Sequence, residues 1–228
     1  MHENAGNLGL RMDWFEFVHK SLDVNVLCYS YRGYGRSEGV PSEAGIKSDS
    51  IAIVDSFKTC ARIDSKRVFL CGRSLGGAVA LDLISKLDRQ NEFPFKGVMI
   101  ENTFTGISDM ADTLFPFLKQ ILPLKKLMLR IHWDNQACVK YMKTPVLFVT
   151  GDQDTFVPTW MTLALHSACT SDTKDLMVVP GGNHNNTFSV AGYAYINRFK
   201  KFIKVCKELP CDINSSSQSC EGSTMEKK

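Results

Sequence analysis

Short apolar runs alternate with stretches of helical spacing along most of the chain. Residues 24–29, 68–71, 97–100, 145–150 and 176–179 read as strands, being short, apolar and bounded by polar or glycine-containing segments. Residues 13–20, 42–59, 78–87, 159–168 and 192–204 carry the period of amphipathic helices. This alternation predicts an α/β class with a mainly parallel sheet flanked by helices. A parallel sheet of this kind gathers the carboxyl ends of its strands along one edge, and ligands bind there. With 228 residues and 44% hydrophobic content the chain supports one sizeable core, so a single domain is expected over residues 1–206. From about residue 207 the composition turns to Ser, Glu and Lys, and residues 207–228 are expected to be a disordered tail.

The segment at 68–83, VFLCGRSLGGAVALDL, joins one of those apolar runs to one of those helices through Gly72-Arg73-Ser74-Leu75-Gly76. That is the strand, sharp turn and helix of a nucleophile elbow. A serine at the tip of such a turn leaves no room for side chains at the flanking positions, and both are glycine. The turn also sets Ser74 at a helix N-terminus, where the backbone N–H of Leu75 is free to donate to a developing oxyanion.

Two later strand-like runs end in loops of the kind that carry chemistry. Residues 145–150 lead into Gly151-Asp152-Gln153-Asp154-Thr155-Phe156, and 176–179 lead into Gly181-Gly182-Asn183-His184-Asn185. Serine, aspartate and histidine therefore follow one another in the order used by α/β hydrolases. In this reading His184 takes the Ser74 proton and a carboxylate orients the imidazole. Spacing leaves Asp152 and Asp154 both open for that role. His19, His132 and His166 lie in helical or lid-like stretches and read as structural.

Three further segments carry a resemblance: His2-Glu3-Asn4-Ala5-Gly6-Asn7, the run Tyr29-Ser30-Tyr31-Arg32-Gly33-Tyr34-Gly35-Arg36-Ser37-Glu38-Gly39, and Glu101-Asn102-Thr103-Phe104. With the elbow and the two loops they resemble the Bem46-like α/β hydrolases over about residues 2–206. The resemblance implies the α/β-hydrolase fold, with Ser74 as nucleophile, Asp154 as acid and His184 as base. It also implies a second oxyanion donor from the backbone of Asn4 or Ala5, beside that of Leu75. This chain has Glu3 where the family has glycine, and a carboxylate there opposes an oxyanion unless its side chain turns to solvent. In the family's fold a further strand lies between those expected at 24–29 and 68–71. The resemblance therefore implies a gap in the sheet, a truncated form of a longer enzyme with about three more strands upstream, and a membrane anchor ahead of them. A weaker likeness extends to α/β hydrolases that remove palmitate from protein cysteines.

Residues 105–144 form an insertion between two strands, with Met110, Leu114, Phe115, Phe117, Leu118, Ile121, Leu122, Leu127, Met128, Leu129, Ile131 and Trp133. A lid offering a lipophilic surface to an acyl chain is expected, the alternative being a small helical cap packed on the domain. Lys119, Lys125, Lys126 and Arg130 read as its solvated face, with anionic lipid headgroups as the alternative. The net charge of +3 with no basic stripe excludes a nucleic-acid partner. Eight cysteines at irregular spacings, with no zinc-ligand pair, are expected to be reduced in an intracellular compartment, and the chemistry calls for no metal or cofactor. No apolar run is long enough to span a bilayer. The function these features imply is serine-dependent hydrolysis of lipophilic esters or thioesters, an S-acylated protein and a membrane surface among the expected partners. The alternatives are a non-catalytic form that binds lipid or a partner, and a peptidase.

Overall fold

A computed structural model describes residues 1–92, 94–116 and 131–209. Its helices are α1 (Met12–Leu22), α2 (Glu43–Lys58), α3 (Leu75–Arg89), α4 (Ile107–Leu114), α5 (Asn135–Val139), α6 (Thr159–Ala168), α7 (Thr187–Ala191) and α8 (Tyr193–Glu208). Its strands are β1 (Phe69–Arg73), β2 (Gly97–Glu101), β3 (Val146–Gly151) and β4 (Lys174–Val179). They pair in parallel in the order β1-β2-β3-β4, in a register that sets Cys71 beside Met99, Val98 beside Val146 and Phe148 beside Leu176. Every residue of β2 and β3 is buried. Continuous apolar runs of this kind suit a parallel sheet covered on both faces.

On one face, Leu81, Ile84 and Leu87 of α3 pack with Ile100, Phe148 and Met142. On the other, Tyr195, Phe199 and Phe202 of α8 pack with Met99, Leu147 and Val149, with Phe17 and Leu22 of α1 at the margin. Local chemistry sets the helix ends. The Ser42 hydroxyl accepts from Gly45 N at the start of α2, and Asp23 closes α1 in the left-handed conformation, φ +52°.

The predicted helices all form, with α3 starting at Leu75 rather than residue 78, because the elbow itself begins the helix. Four of the five predicted strands form. Residues 24–29 do not: they belong to no strand, and Val26 and Leu27 are exposed. A strand exists only by bonding to a neighbour at ladder spacing, and here a cavity of about 970 Å³ lies between this segment and the outer edge of β1. Two bonds reach that edge from Met1, whose ammonium donates to Cys71 O at 2.5 Å and whose carbonyl accepts from Arg73 N at 3.4 Å. Cys28 is therefore outside any strand, and it and Cys71 are half-buried; the six cysteines among the described residues are unpaired.

Part of the insertion belongs to the core. Met110 and Trp133 are buried with Tyr31, Val157 and Met161, and the Lys47 ammonium lies 4.8 Å from the Trp133 ring centre. Leu114, Phe115 and Ile131 remain exposed. Residues 117–130, which include the four basic positions of the insertion, lie outside the described residues. So do 210–228 of the expected tail, while α8 continues through Glu208. Among the described residues no helix is long and apolar enough to cross a membrane.

Asp88, buried near the end of α3, fastens that helix to the entry of β3. Its carboxylate accepts from Lys143 N at 2.6 Å, Thr144 N at 2.9 Å and the Thr144 hydroxyl at 2.7 Å. Asp88→Ala leaves these donors without a partner in the interior. A loss of about 2–4 kcal/mol is expected, read as a lower urea midpoint at unchanged slope.

Candidate active site

The carboxyl ends of the strands lie along one edge, and each leads into a loop that carries a polar side chain. β1 ends at Arg73, and Ser74 follows with φ +53° and ψ −119°, a conformation that crowds any side chain. The turn is fixed by bonds on both sides. Ser74 N donates to Glu101 O at 2.9 Å, and the Thr103 hydroxyl donates to Ser74 O at 3.0 Å. Glycine is required on each flank for lack of space. A Cβ at Gly72 would overlap the backbone of Gly76 and Gly77, and one at Gly76 would overlap the backbone of Met1 and His2. The second approach brings the 2–7 segment against the start of α3.

The three side chains singled out in the sequence meet at this edge. His184 Nε2 lies 3.1 Å from Ser74 Oγ, and His184 Nδ1 lies 2.7 Å from Asp154 Oδ2. Asp154 is the buried one of the two aspartates; its other oxygen accepts from Phe156 N at 2.9 Å and Val157 N at 2.8 Å. These bonds hold both carboxylate oxygens in place. Asp152 points away and accepts from Gly181 N at 2.7 Å, bracing the histidine loop from outside. With the carboxylate on Nδ1, the proton of a neutral imidazole sits on that nitrogen and Nε2 is left to accept from the serine hydroxyl.

Leu75 N–H opens α3, where the helix supplies it no carbonyl. Asn4 is exposed, and its side-chain oxygen accepts from the Tyr34 hydroxyl at 2.6 Å. Glu3 turns neither to the oxyanion region nor to solvent. Its carboxylate pairs with Arg73 at 2.8 Å and with Arg11, and these cations outweigh the effect of burial and hold Glu3 below its ordinary pKa. Arg73 in turn donates to the carbonyl of His184 and to Asn185 Oδ1 at 3.1 Å. Beneath it the buried Glu101 accepts from Thr187 Oγ1 and from the Tyr195 hydroxyl at 2.5 Å.

His19 bonds to Val24 O, and His166 sets its ring edge against Phe148, both away from Ser74. Sequence reasoning gives no role to Arg73, the variable position of the elbow, or to Asn102, quoted only within the Glu101–Phe104 segment of the resemblance, whose amide bridges Gly151 to the histidine loop. The signals for Asn102 are its place directly after an apolar strand and its membership of that segment.

Residues 44–208 match the model of the prolyl oligopeptidase family. Over 212 residues the chain is 35% identical to the α/β hydrolase domain-containing protein WAV2 of Arabidopsis thaliana, covering 89% of this chain and 68% of that protein. It is a Bem46-like α/β hydrolase. Protein bem46 of Schizosaccharomyces pombe is 37% identical over 193 residues, covering 84% of this chain and 62% of its own length. This hydrolase thus spans about two thirds of those relatives. Its fold is also that of the esterase Pf2001 of Pyrococcus furiosus, with a TM-score of 0.71 at 19% identity, covering 90% of this chain and 81% of the esterase.

His2 ties the 2–7 segment to the Tyr31 loop. Its ring stacks on Tyr31 at 4.1 Å, its Nδ1 bonds Glu3 O at 2.7 Å, and its Nε2 accepts from Tyr31 N at 3.4 Å. Burial lowers the imidazole below its ordinary value of 6.5 against the opposing bond to Glu3 O. Once pH falls below that value, the unfolded state binds a proton that the folded state does not, so stability declines. Unfolding free energies from urea titrations between pH 7.5 and 5.5 should fall less steeply in His2→Gln than in the wild type, by at most about 1.4 kcal/mol per pH unit.

Proposed function

We propose that this hydrolase cleaves carboxylic esters or thioesters of lipophilic acyl groups through an acyl-enzyme on Ser74. The observation that carries the reading is the unbroken line from Ser74 Oγ through His184 to Asp154, mounted on a strained turn at the N-terminus of α3. His184 Nε2 accepts the hydroxyl proton as Oγ attacks the acyl carbonyl carbon, and the carbonyl oxygen becomes an oxyanion facing Leu75 N–H, with Asn4 N–H as second donor. The imidazolium, stabilised by Asp154, returns the proton to the departing alcohol or thiol as the bond to the acyl carbon breaks. Water then repeats the sequence, and free acid and Ser74 are released.

The preference for apolar acyl groups rests on side chains around this edge. The Phe156 ring meets the His184 ring at 4.9 Å and is 47% exposed, and Trp160 and Leu163 on α6, Leu114 at the end of α4 and Phe115 just after it are also exposed. S-acylated protein is the finer substrate reading, presented at a membrane surface. The match to the prolyl oligopeptidase family keeps peptide amides as the second reading.

A fluorophosphonate probe should label the 228-residue chain at Ser74, and Ser74→Ala should abolish labelling. Asp154→Asn should lower kcat by about 10⁴-fold. kcat/KM should rise with acyl length across p-nitrophenyl esters and acyl thioesters and stay far lower for peptide amides. Absent labelling, or labelling that survives Ser74→Ala, overturns the reading. Lipid binding without turnover supports a non-catalytic role, and faster cleavage of amides supports a peptidase.

A further inference from the structure

Asn102 follows β2 at φ +46° and is fully buried. Its side chain joins the two loops that carry the imidazole and its carboxylate. Oδ1 accepts from Gly151 N at 3.1 Å, at the root of the Asp154 loop. Nδ2 donates to Asn183 O at 3.4 Å and to His184 O at 3.2 Å. The partners settle which way the amide faces, because a backbone N–H can only donate and a backbone carbonyl can only accept. Its own N–H donates to Val149 O at 3.0 Å, so the residue is anchored to β3 as well. The His184 carbonyl therefore lies between two donors, Asn102 from within and Arg73 from the elbow.

We propose that Asn102 is a positioning residue that sets the reach and tilt of His184 between Ser74 and Asp154. The proposal rests on the serine-hydrolase reading above for its effect on turnover, and on geometry alone for its effect on the imidazole. Two bonds of 3.1 and 2.7 Å must be made at once by one ring; Arg73 ties its loop to the end of β1, and the spacing from the Asp154 loop needs a second tie. The Asn102 amide, bonded to Gly151 N and to the Asn183 and His184 carbonyls, supplies it directly. A displacement of about 1 Å at such a ring lowers turnover by about 100-fold.

The test compares two variants of the full chain with the wild type. Asn102→Asp keeps the shape and the acceptor toward Gly151 but turns an acceptor toward two carbonyls. Asn102→Gly keeps the left-handed backbone and removes all three side-chain bonds. Each should lower kcat by about 10–100-fold, change KM by less than about threefold and slow fluorophosphonate labelling, while circular dichroism shows a folded protein. The downfield proton resonance of His184 Nδ1–H should weaken or move in both variants, whether or not the wild type turns over any ester. In the wild type, the Asn102 side-chain amide resonances should titrate with the same midpoint as the His184 imidazole. A wild type that neither labels nor hydrolyses defeats the functional reading and leaves the resonance criteria to decide this one. An unchanged His184 resonance in the folded variants, or kcat within twofold in an active chain, overturns the proposal. So does an Asn102 amide blind to His184 protonation, a criterion that holds even if neither variant folds.

Discussion

Main chain packed directly against main chain is the constraint on which the active edge depends. At Gly72 and Gly76 the strand, the helix and the 2–7 segment approach so closely that even a methyl group has no place. That approach shapes the turn that holds Ser74 Oγ 3.1 Å from His184 Nε2, leaves Leu75 N–H without a helical carbonyl, and sets Met1 and His2 against Gly76. The sheet does the rest. Parallel pairing from Cys71–Met99 through Phe148–Leu176 sets the strand ends level, so loops distant in sequence open side by side.

Beneath the edge the charges are paired with care for position. Glu3 stands where the resemblance implies glycine, and the chain absorbs it by placing Arg73 and Arg11 around the carboxylate. The same Arg73 reaches the carbonyl of His184, so the departure from the family pattern is wired into the histidine loop rather than aimed at the oxyanion. Buried ion pairs of this sort contribute little net stability, because desolvation offsets attraction. Their effect is geometric: they connect the start of the chain, the elbow and the last loop through directed bonds.

What could be read from residues alone follows from how local each signal is. The elbow and the two loops were legible because glycine, nucleophile and strand come together within a few positions. Asp152 and Asp154 were not separable by spacing, since both lie on one loop and only burial with two backbone donors selects the second. Residues 24–29 have the composition of a strand, but pairing is a property of two segments, and among the described residues no ladder partner lies beside this one. For Met110 and Trp133 periodicity cannot tell a lipophilic surface from a packed cap, and burial with Tyr31, Val157 and Met161 puts these two in the core. Asn102 stands in a segment that carries the resemblance, but its bracing role was not legible, since one buried amide has no spacing pattern to reveal its partners.

The backbone at Ser74 has a bearing on how such a chain evolves. A non-glycine residue held at φ +53° and ψ −119° costs on the order of 1–3 kcal/mol that glycine would not incur. A lineage released from turnover therefore gains robustness by drifting to glycine at that position. Under the proposed reaction, a hydroxyl-bearing side chain in so unfavourable a conformation is what selection for turnover leaves behind.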